Sequence, residues 1–534
     1  MSNSSLKSTA DVVIIGSGLG GLVCGALLAR YGRRVIVCES HTLPGGAAHA
    51  FTRSAQGKTF TFDSGPSFYC GLADVNSANP LTQVLTILGE TLEAVPYEPF
   101  GYYHFSDGTL PVYGDRTKYQ QALAQFSPAA ATQFAKLATK LLKIYAPLKA
   151  IPTLALRSDW QLLPLLIGQY PRAIAQLLPV LPDLSRSLGE VIDNISDSNG
   201  CDPWLKRLLD LECFLLSGLT CDQTVAPEMA FMFGERDSAQ SAVDYPIGGS
   251  GAIVDALVRG LKRWGGELRL GSHVEKIIMA DRQATGVRLK NGDRIIAPVV
   301  ISNATIWDTY RHLLDPSDLP DSYREPALAT PAVDSFMHLH LGIRADGIED
   351  IPIHHVVVHD NTAVTAPGNT CMVSIPTVLD PQQAPPGYHT LHAYTLEPYD
   401  GWAKGENYEQ QKREKAETLF RAVERIIPDV RDRIELELIG TPLTHSRFLR
   451  RYRGTYGPAI AQGGGILNTA KGNRFPSCKT PLKGLYRVGD STLPGIGVPA
   501  VAASGILCAN SLVTLKESAA LLSLLEKATT KAPL

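Results

Sequence analysis

The 534-residue sequence lacks C-x-x-C pairs, and its nine cysteines fall at uneven spacings. That pattern argues against a disulfide and against a redox cysteine. The opening MSNSSLKSTA lacks the apolar core of a signal peptide, so a reducing, cytoplasmic setting is expected. Positive charge is not in excess either. The formal net charge is −2, which leaves no basic footprint for a nucleic acid; only local clusters such as Arg447, Arg450, Arg451 and Arg453 are basic. A second G-x-G-x-x-G following a strand is also missing, so one bound dinucleotide is expected rather than two. Apolar residues make up 44% and charged residues 19%, which is a globular balance, and the length favours two domains whose parts can be interleaved.

What is present begins at Asp11. The β-branched run Val12 to Ile15 leads into Gly16, Gly18 and Gly21 at G-x-G-x-x-G spacing, with Ser17 and Gly20 between them. Gly16 allows the tight turn, Gly18 lets backbone approach a pyrophosphate, and Gly21 lets the following helix pack closely on its strand. The helix N-terminus then offers free N–H groups to the anion. A second strand, Arg34 to Cys38, ends at Glu39 and Ser40, where a ribose-binding carboxylate is expected. The doublet Gly45-Gly46, followed by Ala47, is similar to flavoproteins of the glutathione-reductase-like class, whose cofactor is FAD. Cys24 and Cys38 read as small core residues.

Further along, Phe51 to Phe62 reads as a hairpin running into Asp63-Ser64-Gly65-Pro66. Resembling flavoproteins place this loop beside the flavin, which makes Asp63 and Gly65 candidate neighbours of the ring. An ordinary turn is the alternative. The most apolar segment, Trp160 to Leu184, is broken by four prolines, and its charge-free runs fall short of the ~20 residues a membrane span needs. It can lie in a membrane surface, wall an apolar tunnel, or be a buried helical pair. In the next expected helix, Asp210 has Lys206 and Arg207 in ion-pairing register. Glu212 instead has Leu208, Leu209, Leu215 and Leu216 around it. Two readings of Glu212 stay open: a carboxyl whose pKa is raised by burial and that serves as a catalytic proton donor, or the partner of a cation from another segment.

From Tyr245 the chain returns to the cofactor domain, with an amphipathic helix through Ile253, Ala256, Leu257 and Leu261, a hairpin turned at Asn291-Gly292, and a buried strand Val299 to Ser302. In similar flavoproteins the residue corresponding to Val274 holds the adenine by its backbone. His338 and His340 share one face of a strand but have no Cys, Asp or Glu at ligand spacing, so a solvated or hydrogen-bonded strand face is expected and no metal is assigned. The last signal is a short strand ending at Gly489-Asp490, followed by a turn to Gly497 and a small-residue helix from Val498 through Ala500. Asp490 can accept hydrogen bonds from ribitol hydroxyls, and that helix N-terminus can face a reduced flavin.

LDLECF at Leu209 to Phe214, ISNATIWDT at Ile301 to Thr309, VSIPTVLDPQQAPPGYHTLH at Val373 to His392, RGTYGP at Arg453 to Pro458 and GDSTLPG at Gly489 to Gly495 carry a more specific resemblance. The chain resembles FAD-dependent carotenoid isomerases of the prolycopene-isomerase type, within the wider phytoene desaturase and retinol saturase group. That resemblance implies an α/β fold in which a Rossmann-like FAD-binding domain (1–75, 245–310 and 475–520) is interleaved with a mixed α+β substrate domain (76–244 and 311–474), leaving a tail at 521–534. It also implies a long apolar polyene as substrate, peripheral association with a membrane surface, and a quinone or an external reductant as a possible partner. The activity it implies is redox-neutral cis-to-trans isomerisation on reduced FAD, with a desaturase or saturase, or a carotenoid-binding protein with structural FAD, as the alternatives. Two stretches depart from the family text: GIGVPAVAASG at Gly495 to Gly505, which puts Val498 and Pro499 at the helix mouth, and the glycine-rich 461–481.

Overall fold

The computed structural model describes residues 7–531 except 66, 197, 199, 238–242 and 462–474; most of the departing stretch 461–481 therefore lies outside the described residues. The apolar runs pair as a five-stranded parallel sheet in the order Glu267–Arg269, Val35–Cys38, Val12–Ile15, Val299–Ser302, Leu485–Arg487. Val12–Ile15 and Val35–Cys38 are buried at every position, as expected for parallel strands covered on both faces.

Helix Leu19–Arg30 packs against helices Gly249–Arg263 and Val498–Ser511. Glycine permits both its start and its packing. Gly16 turns with φ +94°, and a Cβ on Gly21 would stand 2.3 Å from the carbonyl oxygen of Gly16. On the facing helix, a Cβ on Gly505 would stand 2.7 Å from the Gly20 carbonyl. A four-stranded sheet, Lys7–Thr9, Arg294–Ile296, Gln283–Leu289, Val274–Ala280, lies beside this core, and its hairpin turns at Asn291-Gly292 as expected.

The largest sheet has seven strands, in the order Ile434–Gly440, Ser335–Arg344, Tyr388–Glu397, Thr370–Ser374, His354–Val358, Gly101–Phe105, Gly108–Val112. All its pairings are antiparallel except that of His354–Val358 with Gly101–Phe105. Along Ser335–Arg344, Met337, Leu339 and Leu341 pack with Ala416, Leu419 and Val423 of helix Tyr408–Glu424. The alternate residues Phe336, His338 and His340 point the other way, and they are buried rather than solvated. The polar face of this strand is an interior wall.

The segment Trp160 to Leu184 folds as two short helices, Leu162–Gln169 and Pro171–Leu177, and a 3-10 stretch, Leu178–Ser185. Leu165, Ala173 and Val180 are buried and seat it on the protein, whereas Trp160, Leu163, Ile167, Leu178 and Leu181 are exposed. No helix among the described residues is long and apolar enough to cross a membrane. Two details differ from the sequence reading. Residues 521–531, expected as a tail, continue helix Leu515–Lys531, whose Leu521, Leu522 and Leu525 join the core around Leu19–Arg30. Asp210 does not pair with its helical neighbours: it accepts the backbone N–H of Cys221 at 2.9 Å, while Lys206 bonds Asp222 and Arg207 bonds Asp107. The loop after the helix needed a cap more than the exposed cations needed a carboxylate.

Replacing Gly505 with alanine forces the two helices apart, and overpacking of this kind costs about 1–3 kcal/mol. Urea unfolding of Gly505→Ala is expected to show a lowered midpoint with unchanged slope. An unchanged midpoint would mean that the helices do not meet this closely.

Candidate functional site

The C-terminal ends of the parallel strands, the glycine turns and the inner face of the seven-stranded sheet enclose one cavity of about 790 Å³. A parallel sheet delivers its ligand site at this edge because helix N-termini and strand ends converge there. Gly16, Gly18, Glu39, Ser40, Gly45, Gly46 and Ala47 line one arm, with Val274 and Gly65. Gly489, Asp490, Gly497 and Val498 line the other arm, and Pro499 stands beside them. Sites more than 400 residues apart in sequence thus share one wall.

Ser17, Gly20, Gly21, Asp63 and Ala500 do not line the cavity. Gly20 and Gly21 are packing residues, as the close approaches above require. Ser17 is buried and acts behind the wall, donating its backbone N–H and its hydroxyl to Glu39 Oε2 at 2.9 and 2.7 Å. Asp63 is the clearest correction. Its carboxylate accepts the Ser250 N–H at 2.8 Å, the Ser250 hydroxyl at 2.7 Å and the Tyr245 hydroxyl at 2.8 Å. It anchors the start of helix Gly249–Arg263 instead of facing a ligand. Burial pushes its pKa up, and these hydrogen bonds oppose the shift.

The donors and acceptors present fit a dinucleotide. Glu39 also accepts the His41 N–H at 2.8 Å and the Ser40 hydroxyl at 3.3 Å, so two of its four donors are hydroxyls that can rotate away in favour of a ribose diol. The Ser67 hydroxyl belongs to a residue that lines the cavity and is buried with no partner among the described residues, the mark of an atom waiting for a ligand. Asn303 was not singled out from sequence, although it follows strand Val299–Ser302 directly. Its amide occupies the space a Cβ would need at Gly18 and at Gly489, 2.8 Å away in each case. Glycine at both positions lets this one side chain bridge the two arms.

Asp490 is not a free acceptor. It is paired with Arg451 and accepts the Ser491 hydroxyl at 3.0 Å. Arg451 also donates to the carbonyls of Thr455 and Tyr456, at 2.8 and 3.1 Å. The basic cluster noted in the sequence therefore contributes two members to the cavity wall, Arg450 and Arg451.

Beyond the glycine arms the wall turns apolar and aromatic, with Phe214, Leu216, Phe336, Tyr394, Leu396 and Ile496. Glu212 lines this part, on helix Pro203–Ser217, which Asp202 caps at its start and Gly218 ends at φ +74°. The cation expected from elsewhere is Arg236, at the end of helix Ala226–Arg236, with Nη1 3.3 Å from Glu212 Oε1. Burial still raises the Glu212 pKa, opposed by Arg236 and by the hydroxyls of Tyr103 and Tyr119. Arg236 itself lies over the rings of Tyr119 and Phe233. His338 and His340 are joined on the inner wall by His392, and the ligand atoms of the three come within 4.8 Å of one another. The partner strand supplied the third ring, which spacing along one strand cannot reveal.

Comparison with known proteins follows the same geometry. The family model described as flavin containing amine oxidoreductase matches residues 19–513. Prolycopene isomerase 1, chloroplastic, from an Oncidium hybrid cultivar is 33% identical over 94% of this chain and 83% of its own length. A neurosporene-forming phytoene desaturase from Rhodobacter capsulatus is 27% identical over 96% of this chain and 95% of its own. Among solved structures, an oxidoreductase from Methanosarcina mazei superposes with TM-score 0.59 at 20% identity, covering 95% of this chain and 100% of that one, and so shares the fold. The residues that line the cavity and these similarities agree: the chain belongs to the flavin-containing amine oxidoreductase family, and it is an FAD enzyme.

Proposed function

We propose that the protein is an FAD-dependent isomerase of poly-cis carotenoids, converting cis to trans without net oxidation. The observation that carries this reading is one continuous cavity whose glycine-lined arms suit a dinucleotide and whose wall beyond them is apolar and aromatic. The similarity to prolycopene isomerases over nearly the whole chain supports it. Reduced FAD supplies electron density that lowers the order of one C=C bond and is recovered afterwards. Gly16, Gly18, Gly45 and Gly46 let backbone approach the pyrophosphate without side chains, with the N–H groups of Gly16 and Gly45 held by the carbonyls of Cys38 and Ser17, and Glu39 and Val274 hold the nucleoside end. Asp490, fixed by Arg451, orients the ribitol side, and the Val498–Ser511 helix N-terminus lies where negative charge is favoured. The aromatic arm keeps water from the polyene.

Glu212 and Arg236 bring charge into that dry arm. Breaking one side of a buried ion pair costs about 3–5 kcal/mol, whereas removing both partners is often neutral. Glu212→Gln is therefore expected to lower the urea midpoint, and Glu212→Gln with Arg236→Met to restore it. A stable single variant would contradict the pairing. Turnover of the double variant then assigns the role: a large loss in a folded, FAD-loaded protein makes Glu212 catalytic, and retained turnover makes the pair structural.

The substrate is dissolved in membranes, and the exposed apolar side chains of residues 160–181 are the surface we assign to lipid contact. Serine at Leu163, Ile167, Leu178 and Leu181 is expected to reduce liposome co-sedimentation while FAD content stays constant. Liposome binding equal to the parent protein would reject that surface.

The activity itself is tested by incubating dithionite-reduced, FAD-loaded protein anaerobically with poly-cis carotenoids in liposomes. Isomerised pigment of unchanged mass, with the flavin still reduced, is the expected result. A mass change of two hydrogens would assign the chain to the net-redox chemistry named for its relatives, a phytoene desaturase and the all-trans-retinol 13,14-reductase of Rattus norvegicus, 26% identical over 85% of this chain. Val498 and Pro499, which line the cavity, would then be the first residues to examine.

A further inference from the structure

The pyrophosphate of FAD is a dianion, and the nucleotide arm of the cavity offers it no cationic side chain. Residues 11–29 and 35–52, which build that arm, contain no lysine or arginine. The N–H groups of Gly16 and Gly45 are already taken by backbone carbonyls. Nearby carboxylates add to the demand for positive charge. Glu39 and Asp308 both line the cavity, and both are held by hydrogen bonds with no ion pair among the described residues.

Three arginines line the cavity, and two of them are committed. Arg236 is paired with Glu212, and Arg451 with Asp490. The third, Arg450, is exposed and has no carboxylate partner among the described residues. Its one hydrogen bond there runs from Nη1 to His273 Nδ1 at 3.1 Å. Burial, then Arg450 and Lys290, hold the His273 pKa below the usual histidine range, so this acceptor is uncharged and the guanidinium charge stays unopposed.

Arg450 stands over the nucleoside end of the cavity. The Ser272 N–H, next to His273, donates to the Glu39 carbonyl at 2.7 Å. Phe448 meets the His41 ring edge-on at 6.1 Å; His41 lies 5.7 Å from His49, whose Nδ1 is 2.8 Å from the Gly46 carbonyl. The end of helix Pro442–Leu449 thus covers the stretch from Glu39 to the glycine doublet. The backbone singles out the same residue. Arg450 follows that helix at φ +50° and ψ +42°, a left-handed position that glycine usually fills. A side chain held there is strained, and such residues cluster at ligand clamps. The turn also sends two neighbouring arginines to opposite ends of the cavity, Arg451 to Asp490 and Arg450 to His273.

We propose that Arg450 is the cation that pairs with the pyrophosphate of FAD, closing over the cofactor from the end of helix Pro442–Leu449. On binding, the guanidinium exchanges a neutral acceptor, His273, for an anionic one, to which its planar fork is matched. The proposal rests on the FAD assignment and not on the polyene reaction, so the isomerisation assay above can fail without touching it.

The test follows release of FAD from the full-length holo-protein on dilution, by recovery of flavin fluorescence, at low and at high sodium chloride. Arg450→Gly suits the left-handed turn and removes the charge. It is expected to release FAD about tenfold faster at low salt, the weight of one partly exposed charge-assisted hydrogen bond. Salt is expected to speed release from the parent protein and to have little further effect on Arg450→Gly. Arg450→Lys, which keeps the charge, is expected to restore most of the retention, and Arg450→Gln, planar but neutral, to behave like Arg450→Gly. Release from the parent protein that does not quicken with salt overturns the proposal whether or not any variant folds. Parent-like retention by Arg450→Gly also overturns it. So does retention by Arg450→Gln with loss in Arg450→Lys, because the side chain would then stack on the adenine instead of neutralising the phosphates.

Discussion

Backbone meeting backbone at glycine is the contact on which the rest of the structure depends. Helix Leu19–Arg30 can start where it does because Gly16 turns with positive φ, and it can sit against helix Val498–Ser511 because Gly20 and Gly505 have no side chains between them. That approach brings Gly489 and Asp490 to the end of the sheet where Gly18 and Gly45 already stand, and Asn303 fits between them. The wall so made consists of backbone and small residues, which is the surface that lets a pyrophosphate approach closely. Larger side chains there would separate the two arms.

The second constraint is polarity inside a dry wall. Carboxylates and imidazoles placed beside an apolar arm must find partners, since an isolated buried charge costs several kcal/mol. Each polar group has a different solution. Glu212 has Arg236 at 3.3 Å, Asp490 has Arg451, Asp63 has three donors from the 245–250 turn, and the histidines remain uncharged and bond one another. None of these partners is a near neighbour in sequence.

That distribution explains what was legible in the chain. The nucleotide fingerprint, the strand Val299–Ser302, the hairpin turned at Asn291-Gly292 and the mouth helix from Val498 are local patterns, and the structure reproduces each of them. Glu212 was recognisable as a carboxyl among leucines, but the identity of its cation depended on how two helices pack. Asp63 and Asp210 misled because a turn aspartate and a helix aspartate look the same whether they face a ligand, a cation or a backbone N–H. His338 and His340 were read as sharing a face that is solvated or hydrogen-bonded, and the structure has the hydrogen-bonded alternative; alternation alone could not choose, because it says which residues share a side and not what lies on that side. His392 and His445 come from a neighbouring strand and from helix Pro442–Leu449, so only tertiary structure joins them to the group.

The central claim is that flavin and polyene occupy one cavity. Titrating FAD-loaded protein with a poly-cis carotenoid in detergent, while following flavin fluorescence, tests it most directly. The account predicts quenching that saturates at one carotenoid per FAD. Carotenoid that co-purifies with the protein in that ratio while the flavin fluorescence stays unchanged would place the polyene elsewhere and contradict the account.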